Sequence, residues 1–424
     1  MKQIKLLPSE SELHCNDATI TLATIFVGEA PINHITERLH QIVAKNPWLA
    51  SRLTSSDANK LSLSVPSYDS LQSLFSVQEI ADICDGSNIG SLIQEIYTPP
   101  LKPSLAKLFS KQGFKCIDND EPLFKVNLCI SDDNTFLLLL SMSHILGDGA
   151  TLYRVYQMLS QAEEVISLCP DRVMEHHHFL SESGYIAGSC WLPETSTSDS
   201  AQIEALINSR AMRSTPNSRF ITGFNKTLNS CDGHERALSY SGGMFRINPD
   251  KIESIKQQHL PTEKAPWLST NDILSSWFLD LSNPSLGVIA VDARNHNDQL
   301  TAIHAGNYQV ALLQNKDEYS TPASVRESVS QFPNKKPSVP VAEAVETVAL
   351  VSNWASFYTQ IDIGSTCQQI THFPIVPPEL ETPTVLDATM IIFKPNLNDL
   401  AVAIGVNGIE KYIRDGILGA PLLQ

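Results

Sequence analysis

The chain has 424 residues, 42% hydrophobic and 18% charged, which gives apolar material for two packed cores and too little charge for extended disorder. A formal net charge of −16 and a pI near 5.1 oppose binding to nucleic acid or to an anionic membrane surface, both of which attract basic faces. A single anionic co-substrate is not excluded, because it needs only a few local cations or a helix N-terminus.

The opening MKQIKLLPSESELHC lacks the apolar stretch of a signal peptide, and no run of about 18 apolar residues occurs. The expectation is a cytoplasmic protein. Eight cysteines (Cys15, Cys84, Cys116, Cys129, Cys169, Cys190, Cys231 and Cys367) include no CxxC pair. Reduced thiols are therefore expected rather than a zinc site or a disulfide framework.

The first strong helical pattern runs from Pro31 to Lys45, with Ile32, Ile35, Leu39, Ile42 and Val43 on one face and Asn46-Pro47 ending it. Phe124 to Ile130 and Phe136 to Met142 read as a hairpin around the turn cluster SDDN. The second of these runs does not alternate, which predicts a strand covered on both faces. Behind it comes SMSHILGDGATLYR, residues 141 to 154, then a helical pattern over Ala150 to Gln161. The unit is strand, loop, helix.

From about Trp191 to Arg219 the composition turns to Ser, Thr, Asn and Pro. This predicts a crossover at 191–219 between a first domain, 1–190, and a second, 220–424. The second half offers the strand-like ALSYSGGMFRI, the helical PDKIESIKQQ, and LSTNDILSSWFLDL, a helix for which Asn271 or Thr270 is the expected cap. GVIAVDAR and NYQVALL read as strands, and AEAVETVALVSNWASFY as a helix running into a strand. TMIIFKP and LAVAIGV form a last strand pair, and IEKYIRDG reads as a closing amphipathic helix. Both halves are thus expected to be layered α/β domains.

His144, Asp148 and Gly149 form an HxxxDG motif at the end of a buried strand. Further landmarks follow in order: LSTNDILSSWF at 268 to 278, VDAR at 291 to 294, AGNY at 305 to 308, VSNWASFY at 351 to 358 and IDIGS at 361 to 365. Together they resemble the BAHD-type acyl-CoA-dependent acyltransferases of the chloramphenicol acetyltransferase-like superfamily. Two departures stand out. Only Asp362 and Gly364 remain of the family's Asp-Phe-Gly-Trp-Gly element, and Ser143 stands where peptide-forming condensation domains commonly carry a second histidine.

The resemblance implies an α/β fold of two chloramphenicol acetyltransferase-like domains, each a mixed sheet flanked by helices, with a tunnel between them. It implies direct transfer of an acyl group from acyl-CoA to a small-molecule alcohol or amine, by a monomer with no permanently bound cofactor. His144 would be the general base, for which a neutral imidazole near pKa 6.5 is well matched. Ser352 and Trp354 would donate hydrogen bonds to the thioester oxygen. Asp148 would pair with Arg294 as a structural link, with Gly149 clearing space and Asp362 and Gly364 shaping a loop. Ser269, Thr270, Gly306 and Asn307 would neighbour coenzyme A, and Lys264 would contact a phosphate. The alternatives are a condensation-type enzyme with a carrier-bound donor and a non-catalytic binding member of the fold.

Other features weigh less. His176, His177 and His178 cannot all face one ion, so a solvated loop is the expectation and no metal site is assigned. Asn225-Lys-Thr227 matches a glycosylation acceptor that is irrelevant without secretion. No GxSxG, Walker loop or HExxH occurs.

Overall fold

The computed structural model describes residues 2–10, 18–55, 60–66, 71–98, 100–175, 186–187, 240–296, 299–332, 347–375 and 386–423. The crossover at 191–219, the triple histidine, Asn225 and the helical part of AEAVETVALVSNWASFY lie outside them.

Sixteen strands are described: β1 (Lys2–Lys5), β2 (Thr19–Gly28), β3 (Arg52–Ser55), β4 (Leu61–Val65), β5 (Phe75–Glu79), β6 (Phe124–Ile130), β7 (Thr135–Ser143), β8 (Ile186–Ala187), β9 (Tyr240–Ile247), β10 (Leu286–Asp292), β11 (Gln309–Gln314), β12 (Val348–Asn353), β13 (Cys367–Pro374), β14 (Ala388–Phe393), β15 (Ala401–Asn407) and β16 (Leu418–Pro421). Four helices matter to the site: α1 (Ile32–Lys45), α2 (Gly149–Gln157), α3 (Pro249–Gln258) and α4 (Thr270–Ser282). A five-stranded sheet has the order β13-β2-β7-β6-β5, an eight-stranded sheet the order β16-β9-β15-β14-β12-β10-β11-β8, and β1-β4-β3 form a small third sheet.

The absence of alternation in β7 has a direct cause. Leu138, Leu140 and Met142 join the core beneath α1, whose Ile35, Leu39, Ile42 and Val43 are buried there. Leu137 and Leu139 face a different core that also takes Met244 and Phe393 from the second half. The strand is sealed on both sides and positions whatever follows it rigidly.

The two large sheets are not separate in sequence. Strand β13, from the second half, pairs antiparallel with β2 of the first, with Phe373 opposite Ala23. In the eight-stranded sheet β12 runs parallel to both β10 and β14, which aligns the ends of VDAR and VSNW. Mixed sheets and flanking helices are the α/β architecture expected.

Three local expectations need correction. Helix α4 is capped by Ser269, not by Asn271 or Thr270: its hydroxyl accepts from the Asp272 N–H, and the Asp272 carboxylate accepts from the Ser269 N–H, a complete capping box. Helix α2 stops at Gln157 rather than Gln161. IEKYIRDG makes a single helical turn, Glu410–Ile413, after which Gly416, at φ 81°, turns the chain into the edge strand β16.

Candidate functional site

His144 follows directly on the last residue of β7. The loop that carries it is held at both ends: the His144 N–H donates to the Ala18 carbonyl at 2.9 Å and the Asp148 N–H to the Gly306 carbonyl at 3.2 Å. The residue is half-buried, and its Nδ1 is shut off from solvent without a well-formed hydrogen bond. Burial moves the imidazole below its usual pKa of 6.5. Its own carbonyl, the Asp148 charge, Asn307 and Glu10 act in the other direction without reversing this. The ring is therefore neutral at neutral pH, the form a base requires.

The hydrogen bonds of the Asp148 carboxylate go elsewhere than to the histidine. Its carboxylate caps α2 through the Thr151 N–H at 2.9 Å, accepts from the Thr151 hydroxyl at 2.9 Å and from the Tyr308 N–H at 2.9 Å, and receives Arg294 at 2.8 and 3.1 Å. Burial alone would raise its pKa, but the Arg294 charge and these donors hold it below the carboxylate range. Arg294 also donates to Asp292 at 2.9 Å, to the His304 carbonyl at 2.9 Å and to the Gly306 carbonyl at 3.0 Å. Asp148, Thr151, Arg294 and Gly306 thus form one buried knot that ties the histidine loop to the 292–307 segment. For Asp292 burial outweighs the neighbouring guanidinium and its pKa is raised.

Ser352 and Trp354 close the end of β12. The Trp354 N–H donates to the Ile392 carbonyl at 2.8 Å, which fixes the backbone, and its indole Nε1–H donates to the Ser352 hydroxyl at 3.0 Å. The indole proton is thereby committed, and the Ser352 O–H remains the group able to donate outward. Gly149 faces this pair: a Cβ there would sit 3.4 Å from Trp354 Nε1, so a larger residue would crowd the indole.

Two cavities adjoin the knot. One of about 240 Å³ is walled by Tyr153, Arg154, Gln157, Asp292, His304 and Phe357 among others. A second, about 30 Å³, lies among Asp148, Gly149, Asp292, Ser352 and Trp354. Ala150, Asp292 and Phe357 line both. His144 itself lines neither, so the structure brings Asp148, Gly149, Ser352 and Trp354 to one small space with the His144 loop beside it.

The remaining candidates are placed as follows. Ser269 and Thr270 open α4, the former as its cap. Lys264 is exposed and ion-paired with Glu327 at 2.6 Å. Gly306, at φ 144°, packs against the Arg172 guanidinium, 3.0 Å from where a Cβ would sit. Asn307 donates to Glu10 and to the His144 carbonyl. Asp362 accepts from Gln161 at 2.7 Å and from the Gly364 N–H at 3.0 Å, and its own N–H donates to Ser160 at 3.0 Å, which binds this segment to the chain just beyond α2.

Sequence reasoning missed two buried polar groups. Glu10, paired with Arg172 at 2.8 Å, is fully enclosed, and nothing in SESE sets it apart from its neighbours. His372 on β13 contacts Thr24 and Tyr153; its only signal was a lone histidine leading into the apolar FPIV.

Among the described residues Cys84, Cys116, Cys129, Cys169 and Cys367 are free thiols, and no group of three or more His, Cys, Asp or Glu could hold a metal ion. No described helix is long and apolar enough to cross a membrane.

The mixed sheets flanked by helices make an α/β fold that solved structures share over nearly the whole chain. Sequence comparison finds no matching family model and no matching curated protein. Among solved structures the chain is similar to TRI101 of F. graminearum complexed with coenzyme A and deoxynivalenol, at 14% identity, a TM-score of 0.59 and 97% coverage of each chain. TRI101 of F. sporotrichioides, complexed with coenzyme A and T-2, matches at 14% identity and a TM-score of 0.60, covering 97% of this chain and 96% of the other. The first condensation domain of the CDA synthetase matches at 12% identity and a TM-score of 0.56, covering 96% and 91%.

Proposed function

We propose that the protein is an acyltransferase that moves an acyl group, acetyl by default, from acyl-CoA to a hydroxyl or amine of a small-molecule acceptor. The observation that carries this reading is geometric: His144 stands at the end of a strand covered on both faces, its loop beside the space at Ser352 and Trp354, with the Asp148 carboxylate committed to Arg294. The coenzyme A complexes of TRI101, which share the fold over nearly the whole chain, support the choice of donor.

In this mechanism the acceptor oxygen or nitrogen attacks the thioester carbonyl while His144 takes its proton through Nε2. The tetrahedral oxyanion receives the Ser352 hydroxyl proton as a hydrogen bond, and the indole of Trp354 holds that hydroxyl in orientation. Collapse breaks the carbon–sulfur bond, and the imidazolium returns its proton to the coenzyme A thiolate. The products are an ester or amide and free coenzyme A. The thioester carbonyl would be seated in the space beside Ser352, against Gly149 and Trp354. The acceptor and nucleotide positions, including Ser269, Thr270, Lys264, Gly306 and Asn307, are part of the same proposal, as are a monomeric state and a cytoplasmic setting.

A condensation-type enzyme with a carrier-bound donor is the second reading, favoured by the similar match to condensation domains. Against it, the position of their second histidine holds Ser143, whose hydroxyl is buried without a partner. Thermal melting with millimolar coenzyme A separates the two, since a ligand that binds the folded state raises its melting temperature. A rise, followed by acyl transfer in a mass-spectrometric screen of acyl-CoAs against alcohols and amines, supports the first. Absence of any rise, with transfer from an acylated carrier domain, supports the second; neither result leaves the non-catalytic reading standing.

A further inference from the structure

We infer that Glu10 is a positioning residue for His144: it fixes the amide of Asn307, and that amide fixes the imidazole. The inference rests on the reading of His144 as the base, but its geometry is independent of any substrate.

Glu10 lies in a single 3₁₀ turn, Pro8–Glu10, far from the HxxxDG motif in sequence and wholly buried against it. Its Oε2 accepts from the Leu7 N–H at 2.9 Å and from Arg172 Nε at 2.8 Å; its Oε1 accepts from both the N–H and the Nδ2 of Asn307 at 3.0 Å. A carboxylate facing a guanidinium only accepts, so Asn307 must turn its NH₂ group toward Glu10. The same NH₂ donates to the His144 carbonyl at 2.8 Å. The orientation of this amide is thus dictated by its surroundings rather than chosen between two equivalent flips.

One consequence concerns the other end of the amide. Asn307 Oδ1 and His144 Nδ1 are both buried and neither makes a well-formed hydrogen bond, although Asn307 and the ring's own carbonyl both act on the imidazole. These atoms belong to residues already joined by a hydrogen bond, one can only accept, and the other donates when it carries the proton. Pairing them places the proton on Nδ1 and leaves Nε2 with the lone pair that takes the acceptor's proton. The side chain of Asn307 and the charge of Glu10 are both among the influences that favour a proton on this ring. Arg172 completes the brace by donating to the Leu146 carbonyl at 3.2 Å, within the His144 loop, and to the Ala305 carbonyl at 2.9 Å, on the 292–307 segment.

The test is nitrogen NMR on the full chain labelled at histidine, with the His144 signals assigned by their loss in His144→Ala. The wild type should show a single tautomer protonated at Nδ1. In Glu10→Gln, whose amide can present an NH₂ to Asn307 and release its flip, the His144 signals should report a mixture of tautomers and a pKa lower than in the wild type, because a charge that favours the protonated ring is gone. Should loss of the Arg172 partner prevent folding, Asn307→Ser keeps the Glu10–Arg172 pair and should give the same spectral change. In the acyl-transfer assay either variant should lower kcat by on the order of tenfold with KM for acyl-CoA unchanged, the mark of a misdirected base. A wild type protonated at Nε2, or an unchanged Nδ1 tautomer in both variants, overturns the inference. A tautomer that shifts as stated in a protein that transfers no acyl group instead sinks the acyltransferase reading alone.

Discussion

Acidification should destabilise the protein through one buried histidine, and the size of the effect follows from its surroundings. The His372 ring is wholly enclosed, with Nδ1 2.9 Å from the Thr24 hydroxyl and Nε2 2.9 Å from the Tyr153 hydroxyl. The rings of Tyr153, Tyr156 and Tyr358 pack around it at centroid distances of 5.5, 5.0 and 5.2 Å. Burial pushes its pKa from 6.5 down to about 3. The folded value lies below the unfolded one, so the unfolded chain binds the proton first. Stability is complete above pH 6.5, falls as pH drops through 6.5, and stops falling near the folded pKa. At 1.36 kcal/mol per pH unit, the loss by pH 5 is about 2 kcal/mol and its limit near pH 3 about 5 kcal/mol. His372→Gln keeps a polar group for Thr24 and Tyr153 but cannot titrate. Urea denaturation of both proteins at pH 7 and pH 5 should show the stability gap between wild type and variant narrowing by about 2 kcal/mol at the lower pH. A gap independent of pH would refute the reasoning, because it would mean that this ring is protonated as readily in the folded protein as in the unfolded chain.

Three further outcomes are expected. Ser352→Ala should lower kcat by about 10²- to 10³-fold if its hydroxyl faces the oxyanion, and Trp354→Phe should cost less, on the order of tenfold, since it removes only the group that orients that hydroxyl; steady-state kinetics on the two variants checks the order. Arg294→Ala leaves Asp148 buried without its cation and should destabilise by about 3 to 5 kcal/mol in chemical denaturation. Ser269→Ala breaks the capping box of α4 and should cost about 1 kcal/mol by the same measurement.

The parts of the fold governed by local pattern were legible in the sequence. Helix α1, the β6–β7 hairpin and the non-alternating run of β7 follow from apolar spacing, and the Asp148–Arg294 pair follows from the landmarks that the resemblance supplied. What the sequence hid is contact between distant segments. The pairing of β13 with β2 joins residues about 350 apart, and no periodicity in CQQITHFP chooses that partner. Glu10 sits in a polar stretch that reads as solvated, yet Arg172 and Asn307 converge on it from two other segments. The resemblance implies two outward donors at Ser352 and Trp354; only coordinates reveal that one is aimed at the other. The cap of α4 was within reach, since Ser269 followed by Asp272 at three residues is the capping-box spacing.

The pH dependence of thiol release from acetyl-CoA, with an accepted alcohol or amine and with His144→Ala alongside, bears most directly on the role of the imidazole. Burial holds His144 below its ordinary pKa, so the wild-type rate should rise with pH along a limb whose midpoint lies below 6.5, and His144→Ala should lose about 10²- to 10⁴-fold in rate while keeping its thermal shift with coenzyme A. A variant as fast as the wild type, or a limb centred above 6.5, would contradict a neutral His144 acting as the base.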